Sequence, residues 1–477
     1  MALTRGEISI GRRRIMALLG LLLASCAAYQ AQPLNLADSA QRFAARRLDA
    51  PQLRDAIAPL LPAPPASWPP PRWDRGMLLA VALVDNPQLA VARAEVGAAA
   101  AREVAAAERP NPVTSLQSEY ALRDTRPWLY GISFELPLRT PGRRRLAIDA
   151  ARLDRLQARW ALVDRTWDVR RSLIRALSDW RAARERERTL EQLSAAQARL
   201  LDVERRRVAA GEDAPATLLA LEADAQHSAQ ERARSFAEAS SAQAAAAAAL
   251  GLPPPALDGL ALDWPDWGAP PALDEARLDA AREQALLTRA DLAAAIADYD
   301  AAEKRLQLAV ARQYPELVLS PGYYWDHGIS KFPLDVAFEL PLFNRHQGEI
   351  AQARAARELA GENLLALQAR IYGEIAAARA QEDLARQAAA AADRRLQQAQ
   401  RQAQDAALAS KLGAADAQAP LTADVGRYRA QLEALEARAA LQGARNVLED
   451  ALHTPLSGPE LDLRRPPPPS ATNGEAS

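Results

Sequence analysis

Hydrophobic and polar positions along this chain follow two periods, and stretches of the two kinds succeed one another in a fixed order. Over most of the length, Ala and Leu recur at three- and four-residue spacing between Arg, Glu and Gln, the pattern of long amphipathic helices. Two regions instead alternate with period two, as strands with one apolar face do. Over residues 128–136 one face carries Trp128, Tyr130, Ile132, Phe134 and Leu136, and the other Leu129, Gly131, Ser133 and Glu135. Farther on, Leu334, Val336, Phe338, Leu340 and Leu342 alternate with Asp335, Ala337 and Glu339. Each region has a partner strand before it, so strands are predicted over about 113–122, 128–138, 317–325 and 333–342.

The two regions are copies. Phe134-Glu135-Leu136-Pro137-Leu138 returns as Phe338-Glu339-Leu340-Pro341-Leu342, a shift of 204 residues. Asn86-Pro87-Gln88-Leu89 aligns with Arg289-Ala290-Asp291-Leu292 at a shift of 203, and Leu252-Pro253 with Thr454-Pro455 at 202. The chain is a tandem duplication, each half running helix, strand, strand, long helix, helix. Arg143 to Ala209 is free of proline and glycine over 67 residues, enough for about 100 Å of helix. Residues 346–412 form a helix of similar length in the second half. Helices this long need lateral partners to bury a narrow apolar stripe. Each ends near a glycine, Gly211 or Gly413, which allows a tight hairpin into a return helix, 215–250 or 417–452. The expected organisation is an N-terminal extension (26–75) containing a Pro-rich linker (62–73), repeat 1 (76–252), a Pro/Trp linker (253–272), repeat 2 (273–456) and a disordered tail (457–477).

Strands of about ten residues suit a tilted membrane span, and Tyr120, Trp128, Tyr130, Tyr323, Tyr324 and Trp325 could form an interfacial aromatic girdle. A small soluble sheet covered by helices would show the same alternation. In a membrane, four strands cannot close, and an open edge would leave unpaired backbone groups costing several kcal/mol each. Several copies must then share one barrel. Trp128, Tyr130, Phe134 and Phe338 would face lipid, and Glu135 and Glu339 a wet lumen.

The N-terminus adds a location. Arg12-Arg13-Arg14 precedes a short apolar run, Ile15 to Ala24, that ends in Leu23-Ala24-Ser25-Cys26. The run is too short to span a bilayer and fits a secretory signal over residues 1–25. Its end resembles a bacterial lipobox, which implies lipidation of Cys26 with palmitate-type acyl chains, and Ala27 implies sorting to the outer membrane. Cys26 is the single cysteine, so no intramolecular disulfide is available. No later stretch is apolar for 18 residues, so any spanning falls to strands. A net charge of −1 from 59 basic and 60 acidic residues gives no reason to expect nucleic acid. His227, His327, His346 and His453 are scattered, and no HExxH, phosphate loop or nucleophile elbow is present. No enzyme, cofactor or metal is expected.

Two repeats with paired strands and helices of about 100 Å, behind a lipobox, resemble the TolC-type outer-membrane factors of efflux systems over most of residues 75–456. Pro137-Leu138 with Pro141-Gly142-Arg143-Arg144-Arg145 is similar to the family's strand-to-helix junction. Leu340 to Ile350 is similar to the second junction, particularly in the heavy-metal efflux branch, and Arg207-Val208-Ala209-Ala210-Gly211 to a hairpin tip. The resemblance implies a mainly α fold with a small membrane β part: a homotrimer with a 12-stranded barrel on a 12-helix periplasmic tunnel. It implies a passive duct in the outer membrane, for drugs or heavy metals, partnered by a periplasmic adaptor and an inner-membrane pump. Arg207, Gly211 and Gly413 become candidates for adaptor docking, and Asp416 and Asp424 for the aperture. A lipid-anchored coiled-coil scaffold, or an adaptor, without a pore is the alternative.

Overall fold

A computed structural model of the chain describes residues 29–123, 125–138, 140–458, 461 and 463. The signal segment, Cys26 and most of the 457–477 tail lie outside the described residues. Residues up to Ala45 form one unit. It contains α1 (Leu36–Ala44), whose start is capped by Asn35 Oδ1 accepting from the Ala37 amide at 3.0 Å.

The second unit, from Arg46 on, holds the duplicated body. In chain order it comprises α2 (Pro51–Ile57), β1 (Trp73–Asp74), α3 (Arg75–Asp85), α4 (Pro87–Ala107), β2 (Val113–Tyr120), β3 (Trp128–Leu138), α5 (Pro141–Ala209) and α6 (Pro215–Leu250). Then follow β4 (Leu262–Asp263), α7 (Glu275–Thr288), α8 (Ala290–Ala311), β5 (Leu317–Asp326), β6 (Ile329–Lys331), β7 (Leu334–Phe338), α9 (Gln347–Lys411) and α10 (Gln418–Leu452). Helices α2, α4, α5 and α6 all open on proline, whose missing N–H costs nothing in a first turn. The long helices α5 and α9 have 69 and 65 residues. They are held side by side: α4–α5–α8–α9 toward the strands, α6–α5–α10–α9 toward the hairpin turns.

The main sheet is antiparallel, ordered β2–β3–β5, with β6 and β7 both on the far side of β5. β6 and β7 are one strand interrupted at Phe332-Pro333, where proline has no donor for the ladder. The sheet is thus four strands wide, with β2 and β6/β7 as free edges. The last strand is shorter than its predicted 333–342. Its ladder ends at Phe338, opposite Leu317, the first residue of β5, and Pro341 could donate nothing further. In repeat 1 the shared pentapeptide lies wholly within β3. In repeat 2 only its Phe338 is in a strand, and Glu339 stands one residue beyond.

The main core gathers α3, the middle of α5 (Leu162 to Trp180) and the end of α6. Both Pro-rich segments contribute to it. Trp73 and Trp264 are buried, β1 pairs with β4 in parallel, and Trp267 donates to Ser178 Oγ at 3.0 Å. Neither segment is a free spacer. Among the described residues no single helix is long and apolar enough to cross a membrane. The bent pair α3–α4 passes that test jointly, but α3 is largely core.

Four helices end alike. Gly211, Gly251, Gly413 and His453 all adopt the left-handed conformation, and the amide of the next residue bonds five residues back, as in Glu212 N–H to Arg207 O at 2.9 Å and Ala414 N–H to Ala409 O at 2.8 Å. A Cβ on Gly211 would meet open space, whereas one on Gly251 would run into the Asp85 carbonyl. Gly211→Ala should therefore cost about 1 kcal/mol, the left-handed penalty alone. Gly251→Ala should cost about 3 kcal/mol, because overpacking is added. Denaturant unfolding of the two variants checks this, and equal losses would contradict it.

Candidate functional site

The two hairpin turns are joined by charge. Arg207, near the end of α5, bonds Asp213 at 2.5 Å, just past its own turn, and Asp416 at 2.6 Å, just past the turn of the other repeat. Glu212 lies 3.5 Å away. The hydrogen bond from Arg207 holds the Asp213 carboxyl below its ordinary range. Arg207 is thus a tie between the tips rather than a lone surface cation. Asp424 is two turns up α10 from Asp416 and bonds Arg427 on its own helix at 3.1 Å. Further pairs stitch the repeats together above the turns: Asp224 with Arg429, and Arg186 with Glu436 at 2.6 Å. Gly211 and Gly413 supply the left-handed turn residues.

At the other end, Trp128, Tyr130, Phe134 and Phe338 are all exposed, as are Glu135 and Glu339. The aromatic residues meet near the β2–β3 turn. Tyr120 packs edge-on to Trp128 with centroids 4.9 Å apart, and Tyr130 stacks with Trp325 at 6.3 Å. Leu116, Leu334 and Val336 are exposed on the edge strands, and the pairing register puts them on the Phe134 face, an apolar surface that continues across the sheet. The junction motif has a mechanical job that sequence reasoning missed. Arg143 donates to Ala311 O at 3.0 Å, and Arg144 to Ala107 O, the last residues of α8 and α4. Both guanidiniums cap helix C-termini just below the sheet.

No protein-family model matches this sequence, and no curated protein sequence matches it. Solved structures do. The outer-membrane channel OprN superposes with a TM-score of 0.65 at 18% identity, covering 89% of this chain and 98% of that one. The outer membrane protein VceC of Vibrio cholerae gives 0.64 at 19%, covering 80% and 96%. The MtrE outer membrane channel of Neisseria gonorrhoeae, in its open state, gives 0.62 at 17%, covering 82% and 89%. The chain has the TolC-type fold.

Within this TolC-type chain the most charged buried region lies between the two ends, where α5 meets α8 and α10. Arg170, fully buried on α5, donates to Glu449 of α10 at 2.6 Å and covers the Trp167 ring at 5.4 Å. Glu449 also accepts from the Leu456 amide at 3.0 Å. Arg289 forks onto Asp291 at 2.8 and 3.1 Å and donates to Ala451 O at 2.7 Å. Burial raises Asp450 to about 7, and burial with Asp291 and Asp168 nearby raises Asp164 to about 6. Burial disfavours charge on Asp291 as well, but the Arg289 hydrogen bonds prevail and lower it. Burial, with Arg289 close by, drops His453 to about 3, so its imidazole is neutral. Nothing local in the sequence joins Asp164, Asp291 and His453; only the fold does.

Arg170→Met should leave Glu449 buried without its partner and cost about 3–5 kcal/mol. Adding Glu449→Gln should recover much of that loss. Denaturant unfolding of the single and double variants checks both, and an additive loss would contradict the pairing.

Proposed function

We propose that the chain is the outer-membrane duct of a tripartite efflux system, conducting substrates passively from an inner-membrane pump and a periplasmic adaptor. The observation that carries this is the pair of free edges. A four-stranded sheet with exposed apolar faces ends at β2 on one side and at β6/β7 on the other. The helical layer ends on α4 and α6 at one side and α9 at the other, with exposed Val91, Phe236, Leu365 and Leu384 on those edge helices. One edge of a copy can pair with the opposite edge of the next, the head-to-tail contact that closes into a ring. Three copies would complete the twelve strands of the TolC-type arrangement, with Glu135 and Glu339 toward the lumen and Trp128, Tyr130, Phe134 and Phe338 toward lipid. Acyl chains on Cys26 would add a second hold on the outer membrane.

A passive duct needs no catalytic group, since the pump supplies the energy. Its working parts are a wet bore, a tip that seals and opens, and a docking surface. Arg207, tied to Asp213 and Asp416, sets the relative position of the two turns carrying Gly211 and Gly413. In this reading that position is what the adaptor reads, while Asp416 and Asp424 contribute acidic groups to the aperture.

The chain purified in detergent should run at three times its chain mass and give stepwise conductance in planar bilayers. A non-conducting monomer would overturn the proposal. Arg207→Asp should abolish cross-linking to the adaptor and lower resistance while leaving the trimer mass intact. Unchanged cross-linking would remove Arg207 from the docking role.

A further inference from the structure

His453 stands where the other copy of the repeat has glycine. Leu252 aligns with Thr454, so His453 is the counterpart of Gly251, and both hold the left-handed turn at the end of a return helix. That conformation is disfavoured for any residue with a Cβ. The exchange is accompanied by others. Ala247 and Ala248 of repeat 1 correspond to Glu449 and Asp450, and Gln88 to Asp291. The first copy carries no carboxylate at these three positions and the second carries three.

The imidazole is well held. It stacks on Trp167, with centroids 4.9 Å apart and planes 16° from parallel. Only 8% of the residue is exposed, and its buried Nδ1 has no hydrogen-bond partner among the described residues. One ring nitrogen and one carboxylate oxygen each from Asp164 and Asp291 all lie within 4.8 Å of one another. The three come from different elements: Asp164 from the middle of α5, Asp291 from the first turn of α8, and His453 from just past α10. Among the described residues no side-chain hydrogen bond engages Asp164, while Asp291 is held in orientation by Arg289. They border a cleft of about 560 Å³ lined by five carboxylates and three guanidiniums, an excess of two negative charges when all are ionised.

The geometry points to a binding site for one divalent transition-metal ion, of the zinc class, held by His453, Asp164 and Asp291. A neutral imidazole with two carboxylates is a donor set for Zn²⁺ or its first-row neighbours, and the open cleft leaves room for a water ligand. Ligand atoms about 3.4 Å apart in a tetrahedral site are within reach by small side-chain rotations. An ion there would clamp the end of repeat 2 to the long helix of repeat 1 and to the first turn of α8. The site does not depend on the duct reading.

The full chain, stripped with chelator in detergent and titrated with Zn²⁺ by calorimetry, should bind one ion per chain at this site. His453→Asn, which tolerates the left-handed turn, and Asp164→Asn should each weaken that binding roughly tenfold or more. His227→Asn, altering an exposed histidine, should not. Co²⁺ in place of Zn²⁺ should give a ligand-field absorption band that His453→Asn abolishes. Absence of Zn²⁺ binding, or binding unchanged by both ligand variants, would overturn the assignment.

Discussion

A backbone amide at the edge of a sheet must find a partner, and hydrocarbon supplies none. In the duct reading, the chain's design turns on this constraint. Its sheet stops at four strands, with β2 and β6/β7 carrying free ladders. The helices repeat the problem in another form. A helix of 69 residues with a stripe of Leu, Val and Trp cannot bury that stripe alone, so α5 takes α4, α6, α8 and α10 as neighbours and leaves α4, α6 and α9 at the margins. Strand edges and helix edges lie on corresponding sides, so in the proposed ring one lateral contact between copies would answer both needs.

Directed charge supplements apolar packing in the interior. Large side chains cluster in the middle of α5, and alanine fills much of the seam along α8 and α9. Specificity then falls to ion pairs across it. Arg170 with Glu449 joins α5 to α10, and Arg445 with Glu382 at 2.9 Å joins α10 to α9. Such buried pairs add little net stability against a well-packed apolar alternative, but each is costly to break on one side. They set which helices pair and at what height. At the junction below the sheet, Arg143 and Arg144 do similar work by capping the carbonyls of shorter helices.

Duplication supplied two copies of every joint, and the copies differ in charge at the turn that ends each return helix. Asn86 and Arg289 occupy equivalent positions and donate to equivalent carbonyls, Ala249 and Ala451. The turn that follows is glycine in one copy and histidine in the other. One copy has a small amide and a glycine turn where the other has a guanidinium and an imidazole, and two alanines of the first correspond to carboxylates of the second.

Sequence alone determined the elements and their order, because these are set by local causes. Period two against period 3.6, proline at helix starts and glycine at hairpin tips act over a few residues. The recurrence of Phe-Glu-Leu-Pro-Leu exposed the duplication without any structure. The closure argument required only strand number and the behaviour of an unpaired amide. What the sequence did not determine is who faces whom across some two hundred residues. Arg207 was legible as a docking candidate but not as a tie between the tips, because Asp416 is 209 positions away. His453 read as isolated because its neighbours Asp164 and Asp291 belong to other helices. The last strand read too long because its length depends on where β5 begins, not on its own alternation. Side-chain partnership is decided by the register of packed helices and paired strands, and that register exists only once the two copies of the repeat have folded against each other.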